Sequence, residues 1–316
     1  MTRDPKTFER FMERALYDPE SGYYARRISG VGRRGDFTTA PMMSAAPARA
    51  IAGWAVKALR ETDCRDLIEI GPGEGVLAAA VLARLPWQVR WTTRLHLVET
   101  SAPLAKRQRE LLGKRAVWHA TMNDALAACD GKAVIYSNEL VDAFPVRRFR
   151  KAEAGWQEIA VEFDEQNQAR ELLLPPASLP DSSGFSDRHP PGQCIEVHDS
   201  YHRYLVDWMP AWRAGRMLTI DYGATAGALY HRRPAGTIRG YLLQQRLEGA
   251  AIYQNVGRQD LTADVNFTDL MRWSDPWIKS QRLVPFGEFL GPAADPALTD
   301  PDGAGGAFLV LDQLRA

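Results

Sequence analysis

Along residues 5–17 the apolar side chains Phe8, Phe11, Met12, Ala15 and Leu16 recur at spacings of three and four. That period predicts an amphipathic helix, ended by Asp18-Pro19 because the residue before a proline is pushed out of the helical region. The glycine-rich stretch 21–41 carries no period and reads as a long functional loop. Residues 47–61 return to helical spacing, with Ile51, Trp54, Ala55, Ala58 and Leu59 on one side. From residue 65 short apolar runs alternate with helical stretches: DLIEI (66–70), VLAAAVLARL (76–85), RLHLVE (94–99) and PLAKRQRELL (103–112). AVIYSNE (133–139) and RMLTIDYG (216–223) continue that order, and AFLVLDQ (307–313) suits a closing strand of the same sheet. The alternation predicts a doubly wound, largely parallel sheet that binds its ligand at the carboxyl ends of the strands. Between 146 and 174 it breaks, since VRRFRK, GWQEIAVEF and ARELLL read as three β-segments with a polar turn at 164–168. This is a β-rich insertion. Residues 199–213 predict a helix with Tyr201, Leu205, Trp208 and Trp212 facing inward, while 175–192 and 291–306 read as loops.

Composition narrows the function classes. The chain has 316 residues, 45% of them hydrophobic, enough for one large α/β domain or two modest ones. Lys+Arg and Asp+Glu number 39 each, which removes the electrostatic case for wrapping nucleic acid or lying on an anionic membrane. Cys64, Cys129 and Cys194 are odd in number and far apart, against a disulfide scaffold or a zinc site. No apolar run approaches the roughly 18 residues of a spanning helix, and the first residues are too acidic for a signal or transit peptide. The expectation is a cytoplasmic protein with no membrane or nucleic-acid partner.

The sharpest motif is IEIGPGEG (68–75), where a buried strand meets a helix through Gly71, Pro72, Gly73, Glu74 and Gly75. Gly71 permits the tight turn and Gly73 a close approach of backbone to ligand. By itself such a turn also serves a plain close helix–strand crossing. Glu99, at the end of the next strand, stands where an acid accepts hydrogen bonds from both hydroxyls of a ribose. A dinucleotide pyrophosphate favours free N–H groups and no acid in the turn, but Pro72 lacks the N–H and Glu74 adds charge. S-adenosylmethionine, with a sulfonium, an ammonium and one carboxylate, tolerates Glu69 and Glu74 better than NAD does. In SNELVDAFPVRRF (137–149), Asn138, Glu139 and Asp142 could hold the cofactor's amine or an incoming amino or guanidino group. Equally, Glu139 and Asp142 could merely cap a following helix.

Taken in order, GYYARR…GDFTTAP, IEIGPGEGVLAAAVLARLP, LHLVETSAPLAKRQRELL, NELVDAFPV, GRMLTIDYG and QDLTADVNF resemble the MidA-like family of S-adenosylmethionine-dependent methyltransferases. Its mitochondrial member is a complex I assembly factor and protein arginine methyltransferase. The resemblance spans about residues 8 to 270. It implies the class I methyltransferase fold, a Rossmann-like seven-stranded mixed sheet with an N-terminal helical lid and the β-rich insertion. Residues 1–62 would form the N-terminal helices and cofactor-covering loop, and 63–316 the core, with insertions at about 146–198 and 224–265.

By the same resemblance the GDF-T segment, Gly35, Asp36, Phe37 and Thr38, folds over S-adenosylmethionine. The glycine turn supplies Gly71, Pro72 and Gly73, the V-E-[TS]-S segment Val98, Glu99, Thr100 and Ser101, and the N-E-x-x-D-A-x-P segment Asn138, Glu139, Asp142, Ala143 and Pro145. Glu69, Gly75, Asn123 and Asp124 complete the expected cofactor shell, and Glu139 with Asp142 is the expected catalytic pair. The chain departs from the family where the acceptor is expected. Met42 ends a Thr39-Ala40-Pro41 run that is commonly T-S-P-E, Asp264 and Asn266 replace a His and an acid, and a His expected after Arg239-Gly240 is Gln244 or absent.

The implied activity is methylation of a protein arginine, for which an acidic mouth of Glu139, Asp142 and Asp221 would suit the guanidinium. Methylation of a small amine or hydroxyl, and a non-catalytic assembly role that keeps the pocket, stay open. His198 and His202 have the spacing of a metal pair but no third ligand is evident, so no metal is expected. Ser44, Ser101 and Ser137 lack a GxSxG setting, and Trp208, Trp212, Trp273 and Trp277 read as core.

Overall fold

The computed structural model describes residues 5–26, 44–166, 168–292 and 294–316. In chain order its strands are β1 (Lys6–Thr7), β2 (Asp66–Ile70), β3 (Arg94–Val98), β4 (Ala116–His119), β5 (Val134–Asn138), β6 (Arg147–Ala152), β7 (Gly155–Phe163), β8 (Ala169–Leu174), β9 (Cys194–Val197), β10 (Arg216–Ala224), β11 (Arg239–Leu242), β12 (Gln245–Leu247), β13 (Asp260–Thr262), β14 (Val265–Asn266), β15 (Ile278–Pro285) and β16 (Phe308–Arg315). The longer helices are α1 (Phe8–Tyr17), α2 (Ala46–Thr62), α3 (Val76–Arg84), α4 (Ala102–Leu112), α5 (Met122–Ala128), α6 (Asp199–Trp208) and α7 (Phe267–Ser274).

The βα alternation forms one mixed sheet in the order β15-β16-β10-β5-β2-β3-β4, with β14 added beside the end of β10. β4, β3, β2, β5 and β10 are parallel, and β16 runs antiparallel between β10 and β15. Successive residues of a strand face opposite sides. Leu67, Tyr136 and Leu218 therefore join the core under α2 and α3, while Ile68, Ile135 and Met217 join the one under α5, α6 and α7. Both faces are covered, which is why β2, β5 and β10 read as nearly continuous apolar runs.

α1 follows the periodicity closely. Phe8, Phe11, Met12, Ala15 and Leu16 are all buried, the Thr7 hydroxyl caps the Arg10 N–H, and Asp18 terminates the helix. Burial of each large apolar side chain stabilises by about 1.5–3 kcal/mol. The packing partners of α1 are Val146 and Val161 of the insertion and Ile252 and Tyr253 beyond it. The insertion, joined by β1 from the N-terminus, is an antiparallel sheet, β1-β7-β6-β9 with β8 on β7, and its strands β6, β7 and β8 lie where the alternation breaks. A third sheet, β12-β11-β13, is also antiparallel.

Three local expectations change. The helix predicted over 199–213 stops at Trp208, and a 3₁₀ turn spanning Pro210 takes over because proline cannot continue the hydrogen-bond ladder. Residues 291–306 hold two single-turn helices, Pro296–Thr299 and Ala304–Ala307. β4, β9 and β15 went unread, the first two for brevity and β15 for its polar run KSQR on the sheet edge. Among the described residues no helix is long and apolar enough to cross a membrane. Cys64, Cys129 and Cys194 are free and buried.

Candidate active site

β2 ends at Ile70, and the chain turns through Gly71–Gly75 into α3. Gly71 has φ +63, a left-handed conformation that favours glycine, and a Cβ there would also push on Leu140 Cδ1, 2.6 Å away. Its N–H donates to the Val98 carbonyl at the end of β3 (3.0 Å), which draws the second ligand-bearing segment alongside. β5 ends next door in Asn138. The carboxyl ends of β2, β3 and β5 thus open a single cavity of about 610 Å³, within the range of small-molecule sites. Of the expected residues, Glu69, Gly71, Pro72, Gly73, Glu99, Thr100, Ser101, Asn138 and Glu139 line it.

The two acids of this wall differ, Glu69 being buried and Glu99 half-buried. Glu99 Oε1 accepts the Ser101 N–H (2.7 Å) and Oε2 accepts Gln108 Nε2 (3.0 Å), while burial pushes the carboxyl above its ordinary range. Glu69 accepts the Tyr136 hydroxyl (2.6 Å), and burial pushes it up to about 8. Glu69 is therefore neutral at pH 7 and does not supply the negative charge expected beside the turn. Glu74 is paired with Arg107 (2.8 Å), which offsets its charge as well. Asn138 donates from Nδ2 to Glu139 Oε1 (3.0 Å), and its buried Oδ1 has no hydrogen-bond partner among the described residues. Glu139 itself sits at φ +51, a left-handed conformation uncommon outside glycine and found disproportionately at functional sites.

Several expected residues are elsewhere. Gly35, Asp36, Phe37 and Thr38 lie outside the described residues. Asn123 donates to Asp207 (2.9 Å), and at the start of α5 the Thr121 hydroxyl accepts the Asp124 N–H (3.1 Å) and donates to Asp124 Oδ2 (2.7 Å). Neither lines the cavity, nor does Gly75. Asp142, expected as one of the catalytic pair, is buried behind the wall. Burial pushes it up to about 6 against the pull of Arg239, with Thr262 and Asp264 beside it.

Asp221 is also not part of a mouth. It is fully buried, accepting the N–H groups of Leu140, Val141 and Asp142 on Oδ2 (3.1, 2.8 and 3.3 Å) and of Tyr222 on Oδ1 (2.9 Å). Asp221, rather than Glu139 or Asp142, satisfies the backbone after β5, and no helix follows there. Asp264, at the position where the family resemblance implies a histidine, is held by Arg233 and Arg239.

Distant helices contribute further residues that belong to none of the expected motif positions. α1 brings Glu9, Glu13 and Tyr17 to the cavity, and α6 brings Ser200, Arg203 and Tyr204. Tyr17 donates to the Ala143 carbonyl (2.9 Å), and Arg203 bridges Glu9 and Asp199 between the two helices. The polar side of each amphipathic helix was the only available signal. After the unread strand β4, Ala120, Thr121 and Met122 close the floor.

Two other clusters are self-contained. Asp66, His96 and Cys129 bring oxygen, nitrogen and sulfur ligand atoms within 4.8 Å of one another. Asp66 is already paired with Arg94 (2.6 Å) and His96 (2.9 Å), His96 with His119 (2.9 Å), and the Cys129 thiol donates to the Ala125 carbonyl (3.0 Å). These groups form a closed hydrogen-bonded chain at the opposite end of β2 from the cavity. His198 precedes α6, and burial holds it down to about 4, whereas His202 stacks on Trp273 at 4.8 Å. The two do not form a pair.

A seven-strand mixed sheet with one antiparallel strand, a glycine turn after its central strand and a half-buried acid one strand over define the class of S-adenosylmethionine-dependent methyltransferases. Over residues 50–281 the chain matches the family described as "Putative S-adenosyl-L-methionine-dependent methyltransferase", and it belongs to that family. It is similar to protein arginine methyltransferase NDUFAF7, mitochondrial, of Mus musculus, with 27% identity over 90% of this chain and 70% of the relative. The Drosophila melanogaster homologue is 27% identical over 84% of this chain and 66% of its own length. Among solved structures, a Burkholderia thailandensis protein bound to S-adenosyl-homocysteine superposes with a TM-score of 0.85 at 25% identity, covering 98% of this chain and 88% of that one. The protein is an S-adenosylmethionine-dependent methyltransferase.

Proposed function

We propose that the acceptor is an arginine side chain of a protein. The observation that carries this reading is the Glu139 carboxylate, which lines the cavity at the end of β5 beside the unpartnered Asn138 Oδ1. The arginine methyltransferases among the relatives support it. A guanidinium is always charged and calls for a carboxylate in its plane. Glu9 and Glu13 add acidic groups at the α1 side of the same cavity.

The donor set also suits the cofactor. Glu99 would take the ribose hydroxyls, Asn138 Oδ1 is an acceptor for an ammonium, and Gly71–Gly73 leave backbone room for the methionine part. When bound, S-adenosylmethionine supplies an electrophilic methyl group activated by the sulfonium charge. Glu139 would orient the guanidino nitrogen and receive the proton it sheds, a role in which geometry contributes more than acid strength. Tyr17, Tyr24 and Phe144 would keep water from the reacting atoms.

Incubation with radiolabelled cofactor and arginine-bearing peptides tests the proposal. Label should enter arginine-containing peptide and be absent from lysine-substituted peptide. Glu139→Gln should lower kcat by about 100-fold while S-adenosyl-homocysteine affinity stays within about threefold, as expected for a group acting mainly in the transition state. Transfer confined to small molecules of a lysate would overturn the arginine acceptor.

A further inference from the structure

Gln108 lies in the LHLVETSAPLAKRQRELL segment with no site role expected of it, yet it has no exposed surface although it stands beside the cavity. Its Nε2 donates to the Gly73 carbonyl (2.7 Å) and to Glu99 Oε2 (3.0 Å), and its Oε1 accepts the Trp118 indole N–H (2.9 Å). These partners come from the turn after β2, the turn after β3 and β4. The orientation of the amide follows from their chemistry. An indole nitrogen only donates, while a carbonyl and an ionised carboxylate only accept, so the oxygen must face Trp118 and the NH₂ the other two. Two donors and one acceptor in a plane are what a primary amide provides, and neither Glu nor Lys can replace it.

The arrangement also controls what Glu99 can do. Each carboxylate oxygen has about two acceptor positions. The Ser101 N–H takes one on Oε1, Gln108 one on Oε2 and the Thr100 backbone a further one, so the carboxylate is fixed in the cavity wall and keeps acceptor capacity for a ligand hydroxyl. Gly75 fits the same picture. At φ +79, a Cβ on it would stand 3.2 Å from Gln108 Cγ, so its glycine lets α4 and the turn approach although Gly75 does not line the cavity.

We propose that Gln108 is a positioning residue that locks the Glu99 carboxylate and the Gly73 backbone into one rigid unit for binding the adenosyl ribose. The inference rests on the reading of Glu99 as the ribose acid. Gln108 acts through Glu99 and Gly73 and does not touch the reacting atoms.

Calorimetry with S-adenosyl-homocysteine on the full chain separates the two. Gln108→Leu should weaken binding by about 5–10-fold, because the half-buried carboxylate and the carbonyl lose a shared donor. Gln108→Glu, nearly identical in shape, should weaken it by about tenfold or more at pH 8. That loss should shrink as pH falls toward 6, because two facing carboxyls come to share a proton. A role in folding alone would not produce this pH signature, and it carries the test should Gln108→Leu fail to fold. At saturating cofactor both variants should keep kcat within about twofold while the KM for cofactor rises. The Glu99→Gln and Gln108→Leu effects should combine to less than their product. If Glu99→Gln weakens binding while both Gln108 variants bind like wild type, the positioning role is overturned and the ribose assignment stands. If Glu99→Gln binds like wild type, the ribose assignment fails and takes the inference with it.

Discussion

Glu99 is a half-buried and Asp142 a buried carboxylate at the ends of neighbouring parts of one sheet, and their surroundings are of opposite kinds. Glu99 is held by neutral N–H donors, one from Ser101 in its own turn and one from Gln108 on the helix that follows. Asp142 is held among charges, with Arg239, Thr262 and Asp264 arriving from the third sheet and its flank. The first arrangement leaves acceptor capacity directed at a ligand. The second uses its charges up in a buried network behind the cavity wall, where Arg239 reaches Asp264, the Tyr241 hydroxyl (3.0 Å) and the Thr237 carbonyl (3.2 Å). A carboxylate inside a family motif is thus no guide to its role until its neighbours are known. Glu99 is poised to bind, and Asp142 braces the segment that carries Glu139.

If the Asp142 side is structural, its largest effect should be on stability. Arg239→Met should lower the unfolding free energy by about 3–5 kcal/mol, because Asp142 would lose the cation that offsets its burial and Asp264 would keep only the half-exposed Arg233. Urea unfolding measures it, and a loss below about 1 kcal/mol would erase the contrast with Glu99.

Glu69, on the cofactor side, sharpens the comparison through pH. Its folded pKa of about 8 lies above its ordinary 4.5, so the folded state binds the extra proton. Stability from this group is therefore full below about pH 4.5 and falls as pH rises toward 8, by a few kcal/mol at about 1.4 kcal/mol per unit. His198, held down to about 4 from 6.5, works in the opposite sense, with stability rising between those values. Glu69→Gln should flatten the decline above pH 6.5, where His198 no longer contributes and the raised, buried Asp221 supplies what slope remains. Urea unfolding at pH 6.5, 7.5 and 8.5 gives the slope, and an unchanged slope would rule out a neutral buried Glu69.

Glu99→Ala should weaken S-adenosyl-homocysteine binding by about 1–3 kcal/mol in calorimetry, with a smaller change in stability than Arg239→Met. Equal damage to both quantities would make Glu99 as structural as Asp142. The smallest effect belongs to Arg233→Ala. Arg233 is half exposed where it meets Asp264, so its loss should cost less than about 1 kcal/mol even though Arg239 pairs with the same carboxylate. A thermal melt distinguishes the two arginines, and an Arg233 effect as large as that of Arg239 would mean that the network has no buried centre.

Much of the fold was readable in the chain because the signals are local. Five apolar positions set α1, the βα alternation set the parallel strands, and VRRFRK, GWQEIAVEF and ARELLL set three strands of the second sheet. β4, β9 and β15 escaped because short or edge strands bury too little to impose a pattern. At the site, IEIGPGEG and Glu99 could be found because turn, strand end and acid lie within contiguous βα units whose geometry follows from backbone rules. Where Asp142, Asp221 and Gln108 would point could not be found that way. Each is placed by partners remote in sequence or on a different element: Asp142 by Arg239, Asp221 by the turn after β5, and Gln108 by Gly73 and Trp118 at once. Periodicity reports which face of a helix or strand is apolar. It carries no information on which buried polar group meets which, since that pairing is settled only when separate elements pack and every desolvated donor and acceptor must find its complement.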